Sequence, residues 1–298
     1  MKERRNKRGF SVMNLVTGIV LVFHALILII LLTWALSTAF KSKANFRDNN
    51  FGFPDFNFYN IVTAIESFTT SELKETATGI QRVTTRLFPE IISYTLLYTV
   101  GGAFFAALVP CVMGYMVAKF NNVVSKFLYG LVIITMIIPI VGNQPSMIKV
   151  LDGLNLFDTI YGTWIMRAHF LNMYFLVFLA TFKSLPTSYM EAAYIDGASE
   201  WRVMLRIMMP LVKTIFFTVM LLVFVELWND YGTPLIYMQS YPTMAYRVYI
   251  LTVNVGTETA NMPFKMAACA LLIIPTTTIF IVFKDKLMGN LSMGGIKG

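Results

Sequence analysis

Apolar positions along this chain fall in long unbroken runs, not in the short periodic stripes of a soluble protein. The first covers residues 9–40 without one charged side chain. About 20 apolar residues suffice to cross a hydrocarbon core near 30 Å thick, so this run reaches across with residues to spare. Further runs over 91–118, 127–142, about 163–182, about 211–231 and 266–283 bring the prediction to six transmembrane helices. The fourth contains Arg167, but fifteen uncharged residues, 168–182, follow it, so six spans fit better than five. Pro110, Pro139 and Pro275 sit inside or near the ends of these helices, where a membrane protein tolerates kinks. Residues 41–89 break the pattern: they are polar, with aromatics at Phe51, Phe53, Phe56, Phe58 and Tyr59. Ile61, Ala64, Ile65 and Phe68 have helical spacing there, and Leu73 with its neighbours only weakly. The aromatic content is too high for disorder, which predicts a small helical and aromatic cap outside the membrane.

The chain thus divides into an N-terminal tail and first helix (1–40), the extracytoplasmic cap (41–89), a core of five helices (90–284) and a C-terminal tail (285–298). Composition agrees: 56% of the 298 residues are hydrophobic and 13% charged, against about a quarter charged in soluble domains. The net charge of +8 comes with no basic patch interleaved with aromatics, which excludes a nucleic-acid partner. It follows membrane orientation instead. Lys2, Arg4, Arg5, Lys7 and Arg8, then Lys119 and Lys126, then Lys183, Arg202, Arg206 and Lys213, and finally Lys284, Lys286 and Lys297 all fall on one side. By the excess of Lys and Arg in cytoplasmic segments, that side is the cytoplasm and both termini lie there. Ser37 and Ala39 would suit a signal-peptide cleavage site, but the apolar core of such a peptide is only about 7–15 residues, so the first run reads as an uncleaved anchor. Cys111 and Cys269 lie in apolar spans and read as small packing residues.

One polar interruption, 184–213, is built rather than loose. Ser188 and Glu191 have the spacing of a capping box, predicting a helix from near Tyr189. Gly197 suits a left-handed turn at its end, and Ser199 can cap a second helix. In that second helix Trp201, Met204, Leu205 and Met208 form one apolar face, with Arg202 and Arg206 opposite. Ala192 and Ala193 present almost no side chain, so another surface could approach closely.

Glu191-Ala192-Ala193, three residues, Gly197, nine residues, Ile207, one residue and Met209-Pro210 resemble the signature of the permeases of bacterial ABC importers. Met209 replaces the usual Leu, with volume and apolarity kept. The resemblance runs from about Ile91 to the C-terminus and is strongest to the carbohydrate branch, whose Gly-rich ending is similar to Gly294-Gly295-Ile296-Lys297-Gly298. It implies an all-α, six-helix type I importer permease in the bacterial cytoplasmic membrane. It also implies a second, non-identical permease, two ATPase subunits that bind ATP and magnesium, and an extracytoplasmic solute-binding protein. This chain would bind no cofactor and catalyse no covalent chemistry. Glu191, Ala192, Ala193, Asp196, Gly197, Ile207 and Pro210 would couple to the ATPase, and Gly294, Gly295 and Lys297 would contact it from the C-terminal tail.

The chain has no phosphate loop, no H-E-x-x-H and no nucleophile elbow, and its two histidines, His24 and His169, are too scattered for a metal cluster. Ionisable groups at membrane depth are costly and usually face a bundle interior or water. Glu226, Asn229 and Asp230 share one face of the fifth span, and Trp228-Asn229-Asp230 resembles a segment frequent in sugar permeases. They read either as a sugar-facing wall or gate, or as an interhelix or interfacial polar contact. Arg167 reads as snorkelling to the interface, and His24 as a hydrogen-bonded helix contact. Two other functions compete with a carbohydrate importer: an importer of a polyamine or phosphonate, and a membrane enzyme acting on lipid-linked glycans with Glu226 and Asp230 as its carboxylates.

Overall fold

The computed structural model describes residues 12–75, 81–120, 122–138, 142–253 and 261–291. They divide into two compact units, one drawn from 1–67 and 251–271, the other from 68–250 and 272–298.

The first unit opens with α1 (Val12–Ala39), apolar on every side and buried only at Thr38 and Ala39. That is the surface of a helix made to face lipid or another membrane helix; His24 lies on it, exposed. Beyond α1 the chain turns through α2 (Lys43–Asp48) towards α3 (Tyr59–Phe68). Lys41 is wholly buried, its ammonium donating to the carbonyls of Asn49 (2.9 Å) and Asn50 (3.0 Å). Asn60 donates to the carbonyls of Ala39 and Lys41, so the turn is locked from both sides.

The second unit carries a departure from an all-α chain. Strands β1 (Thr70–Glu75) and β2 (Gln81–Arg86) pair antiparallel, Thr70 opposite Arg86 and Glu75 opposite Gln81. The sequence carries little strand signal here, since each strand has one aliphatic residue, Leu73 and Val83, and only the pairing sets these two opposite each other. Then come α4 (Phe88–Lys119), α5 (Val123–Ile137), α6 (Gln144–Gly153), α7 (Ile160–Arg167) and α8 (Met173–Ser184). The single fourth span of the sequence reading is therefore two helices with a break at 168–172. Asn172 causes it: its side chain accepts from the N–H of Phe175 at 3.3 Å and starts α8 afresh. After α9 (Ser188–Ile195) and α10 (Glu200–Val203), a π-helical turn at Met204–Met208 leads into α11 (Met209–Leu211) and α12 (Lys213–Trp228). Short α13 (Gly232–Tyr237), α14 (Met244–Val253) and the 30-residue α15 (Met262–Leu291) complete the order.

Among the described residues three helices are long and apolar enough to cross a membrane: α1, α4 and the 262–282 part of α15. A fourth results if 200–211 and α12, which meet at a 70° bend, count as one span.

Helix α4 is the axis of the second unit, packing against α7, α8 and α12. Its buried face includes Tyr98, Ala103, Ala107 and Cys111. Small residues let the helices approach closely, as in membrane bundles. At Gly114 a Cβ would fall 2.9 Å from the Cβ of Phe178 and 3.0 Å from the backbone nitrogen of Leu179. Gly114→Val should therefore push α8 off α4, costing about 1–3 kcal/mol as overpacking does. The readout is a lower thermal-aggregation midpoint in detergent.

Candidate functional site

The signature segment is a helix, a sharp turn and a second helix. The turn is a complete Schellman motif: the N–H of Ala198 bonds the carbonyl of Ala193 at 2.9 Å and that of Gly197 bonds Tyr194 at 3.0 Å. Gly197 sits at φ +75°, with open space where a Cβ would go, so glycine is required by the backbone alone. Gly197→Ala should lose transport through roughly 1–2 kcal/mol of left-handed strain. Gly197→Asn, which tolerates this conformation, should retain more, and uptake rates of the two variants check the order.

The capping box does not form. Thr187, with helical backbone, precedes the helix, and its carbonyl accepts the N–H of Met190 and Glu191. Ser188 is thereby already inside the helix and cannot adopt the extended geometry of a cap. Ser199 does precede α10 with extended backbone, but without a side-chain cap bond. The expected apolar face also splits. Met204 and Met208 are buried with Val203 and Val212, whereas Trp201 and Leu205 are exposed. The π turn is the reason: Pro210 has no N–H for the carbonyl of Arg206, the N–H of Met209 reaches back five residues to Met204, and the facing set rotates.

Glu191, Ala192, Asp196, Gly197 and Pro210 are exposed, Ile207 is half-buried, and Ala193 is buried. Of the alanine pair, only Ala192 is available to a second surface. Beside it stand Ile195, 87% exposed, and Tyr189, 48% exposed, neither singled out by sequence.

A bracket holds this loop to α4. Lys119, in the last turn of α4, ion-pairs with Glu200 and donates to the Tyr194 hydroxyl at 2.5 Å, while that hydroxyl lies 3.0 Å from the Glu200 carboxylate. The ammonium also lies over the rings of Tyr194 and Phe120. Tyr194 belongs to the first arm of the loop and Glu200 to the second, so one lysine grips both sides of the Gly197 turn. Sequence reasoning placed Lys119 only as a topology marker, since its partners are 75 and 81 positions away.

Near the other end of α4 lies a second polar group. Arg167 does not snorkel. Its guanidinium lies 3.1 Å from Asp230 and 3.6 Å from Glu226. The same Asp230 oxygen accepts from the buried Tyr98 hydroxyl at 2.8 Å, and its other oxygen accepts the N–H of Thr233 at 3.0 Å, opening α13. The break after α7 is what ends that helix at Arg167 beside these carboxylates. A cavity of about 580 Å³ adjoins the cluster, walled by Arg167, Glu226, Asp230, Asn143, Gln144, Met147 and Tyr237. Carboxylates, amides and a guanidinium beside Met and Tyr surfaces offer what sugar hydroxyls and ring faces bind.

Only two of the four residues expected on the substrate path reach this cavity. Trp228 is buried, stacks at a tilt on Phe224 and donates its indole N–H to the carbonyl of Leu272; Asn229 turns back on the carbonyl of Val225. Trp228 is a helix contact, and Asn229 is bonded within its own helix. Gly294, Gly295 and Lys297 lie outside the described residues.

Residues 111–288 match the family described as the binding-protein-dependent transport system inner membrane component. The chain belongs to that family. This permease is 25% identical to the melibiose/raffinose/stachyose import permease protein MelC of Bacillus subtilis, end to end in both chains. It is 23% identical to the diacetylchitobiose uptake system permease protein NgcG of Streptomyces coelicolor, over 92% of this chain and 86% of the relative. Its fold matches a chain of the crystal structure of a bacterial ABC transporter that imports the acidic polysaccharide alginate, with a TM-score of 0.74 at 21% identity, over 96% and 99% of the two chains.

Proposed function

We propose that this permease is one of two non-identical membrane subunits of an ABC importer that carries an oligosaccharide into the cytoplasm. Two ATPase subunits would drive it, and an extracytoplasmic solute-binding protein would deliver the sugar. The observation that carries this reading is the cavity beside Arg167, Glu226 and Asp230 in a chain that aligns end to end with a permease for melibiose, raffinose and stachyose.

In the mechanism, the α9 loop would dock on an ATPase, with Glu191 against a basic group, Ala192 allowing close approach and Ile195 buried in the contact. Asp196 and Gly197 would set the bend, and Ile207 and Pro210 would hold the second arm against the spans. ATP-driven movement of the loop would reach α4 through Lys119. Helix α4 runs from there to Tyr98, about 30 Å along its axis at 1.5 Å per residue, and Tyr98 bonds Asp230 at the cavity. One rod would thus connect the energy input to the sugar site. The tail residues Gly294, Gly295 and Lys297 would add a further ATPase contact. In this reading the spans are six, with α5 and α8 as short members, and both termini lie in the cytoplasm of a bacterial cell.

The cavity sets two carboxylates against one guanidinium, which favours an uncharged sugar over a polyanion such as the alginate carried by the structural relative, and over a phosphonate. A glycan-cleaving role for Glu226 and Asp230 is disfavoured, since both carboxylates are tied to Arg167. ATP-dependent uptake of uncharged tri- and tetrasaccharides by the reconstituted complex, outcompeting acidic ones, is the expected result. Preference for acidic oligosaccharides would overturn this assignment of cargo.

A further inference from the structure

Between Phe51 and Tyr59 five aromatic side chains stand exposed: Phe51 by 86%, Phe53 by 95%, Phe56 by 69%, Phe58 by 60% and Tyr59 by 70%. In water so much aromatic surface on a short segment would be a liability. Yet the segment is not loose. It is bound through the Asn49 and Asn50 carbonyls to buried Lys41, through the N–H of Asn57 to the carbonyl of Phe40 at 2.8 Å, and through Asp55 to the N–H of Ser42 at 2.8 Å. Something therefore holds the rings outward.

The same segment folds back along the end of α1. Trp34 donates its indole N–H to the carbonyl of Asn50 at 3.0 Å, and its ring lies 6.2 Å from that of Phe51. Phe40 and Phe58 meet edge to face at 5.4 Å. Between helix and segment runs an open groove of about 540 Å³, walled by Ile30, Leu31, Trp34, Phe51, Phe53 and Pro54. The apolar surface of α1, exposed along its length, thus continues without interruption onto the aromatic segment.

We propose that residues 51–59 form a lipid-binding interfacial anchor: the rings lie in the boundary region of the bilayer where α1 leaves it, and the groove takes part of a phospholipid acyl chain. Three features favour lipid as the occupant. The surface is continuous with a helix of bilayer-spanning length. Aromatic side chains concentrate at such boundaries, where an apolar body and a polar edge are both accommodated. The only charge in 51–59, Asp55, is turned to the Ser42 backbone and leaves the ring face uncharged. The backbone pins fix the depth at which the rings sit and so resist sliding of α1 along the membrane normal.

The test uses the intact importer complex in phospholipid nanodiscs containing a phospholipid with a diazirine in its acyl chain. After illumination, lipid adducts should map to residues 51–58. Hydroxyl-radical oxidation from the aqueous phase should mark those aromatics about tenfold less in nanodiscs than in the same chain unfolded in denaturant, because ring burial in lipid excludes water. Adducts confined to α1, with Phe53 and Phe56 oxidised equally in nanodiscs and in denaturant, would overturn the proposal. So would lipid-independent protection that arises only when the solute-binding protein is added, which would make the face a protein-docking surface. A second variant keeps the test independent of labelling: Phe53→Ser with Phe56→Ser, both at exposed positions, should lose the adducts while the complex still assembles. Retained adducts at 51–58 in that variant would remove the rings as the cause.

Discussion

Arg167→Met should abolish uptake and destabilise the permease together. The substitution leaves Asp230, whose side chain is 19% exposed, with its bonds from Tyr98 and Thr233 but without a counter-charge. Removing one partner of a buried ion pair costs about 3–5 kcal/mol, which the residual exposure of both groups here reduces to roughly 2 kcal/mol. Glu226, 59% exposed, adds little. Asp230→Asn in the same background removes the orphaned charge, so the double variant should recover most of the lost thermal stability. Uptake should stay absent, because the cavity keeps only Glu226 of the three charged groups that would orient a sugar. A double variant that regains transport along with stability would show the pair to be a structural contact, and Arg167→Met with full uptake would remove the cavity from the transport path.

Lys119→Met should separate ATP hydrolysis from transport. The complex should assemble and hydrolyse ATP near the wild-type rate, while sugar delivered per ATP falls about tenfold, within the 5–150-fold range of ordinary coupling free energies of about 1–3 kcal/mol. The reason is geometric: without the ammonium, Tyr194 and Glu200 lose their common attachment to α4, and the two arms of the loop can move without moving the rod. Lys119→Arg should restore much of the ratio, since a guanidinium can reach both oxygens. Measured phosphate release against accumulated sugar in proteoliposomes gives the ratio directly. An unchanged ratio in Lys119→Met would mean that the loop acts on the spans by another route.

What could be read from the sequence follows the range over which each signal acts. The Gly197 turn was legible because a left-handed backbone leaves few residue choices, and α1 and α4 were legible because lipid solvation needs only a long apolar run. The break at 168–172 carried a local signal too, Asn172 ahead of Met-Tyr-Phe, but the surrounding hydrophobicity outweighed it. The hairpin was missed because six-residue strands give a weaker pattern than a helical stripe. The capping box failed by one residue, since Ser188 competes with Thr187 and the preceding Pro186 for the start of α9. Arg167 was misread for a different reason. A lone arginine near an apolar run has the same sequence signature whether it snorkels or pairs, and its partners lie about 60 positions away on a helix whose approach is set by packing around α4. The Lys119 bracket is of the same kind.

The most direct measurement of the central claim is uptake of a radiolabelled uncharged oligosaccharide into proteoliposomes holding this permease with its co-purifying subunits. The account predicts accumulation only when ATP is on the ATPase side and the solute-binding protein on the other, with none from this chain alone. Accumulation without ATP, or sugar turnover by the isolated chain, would contradict it.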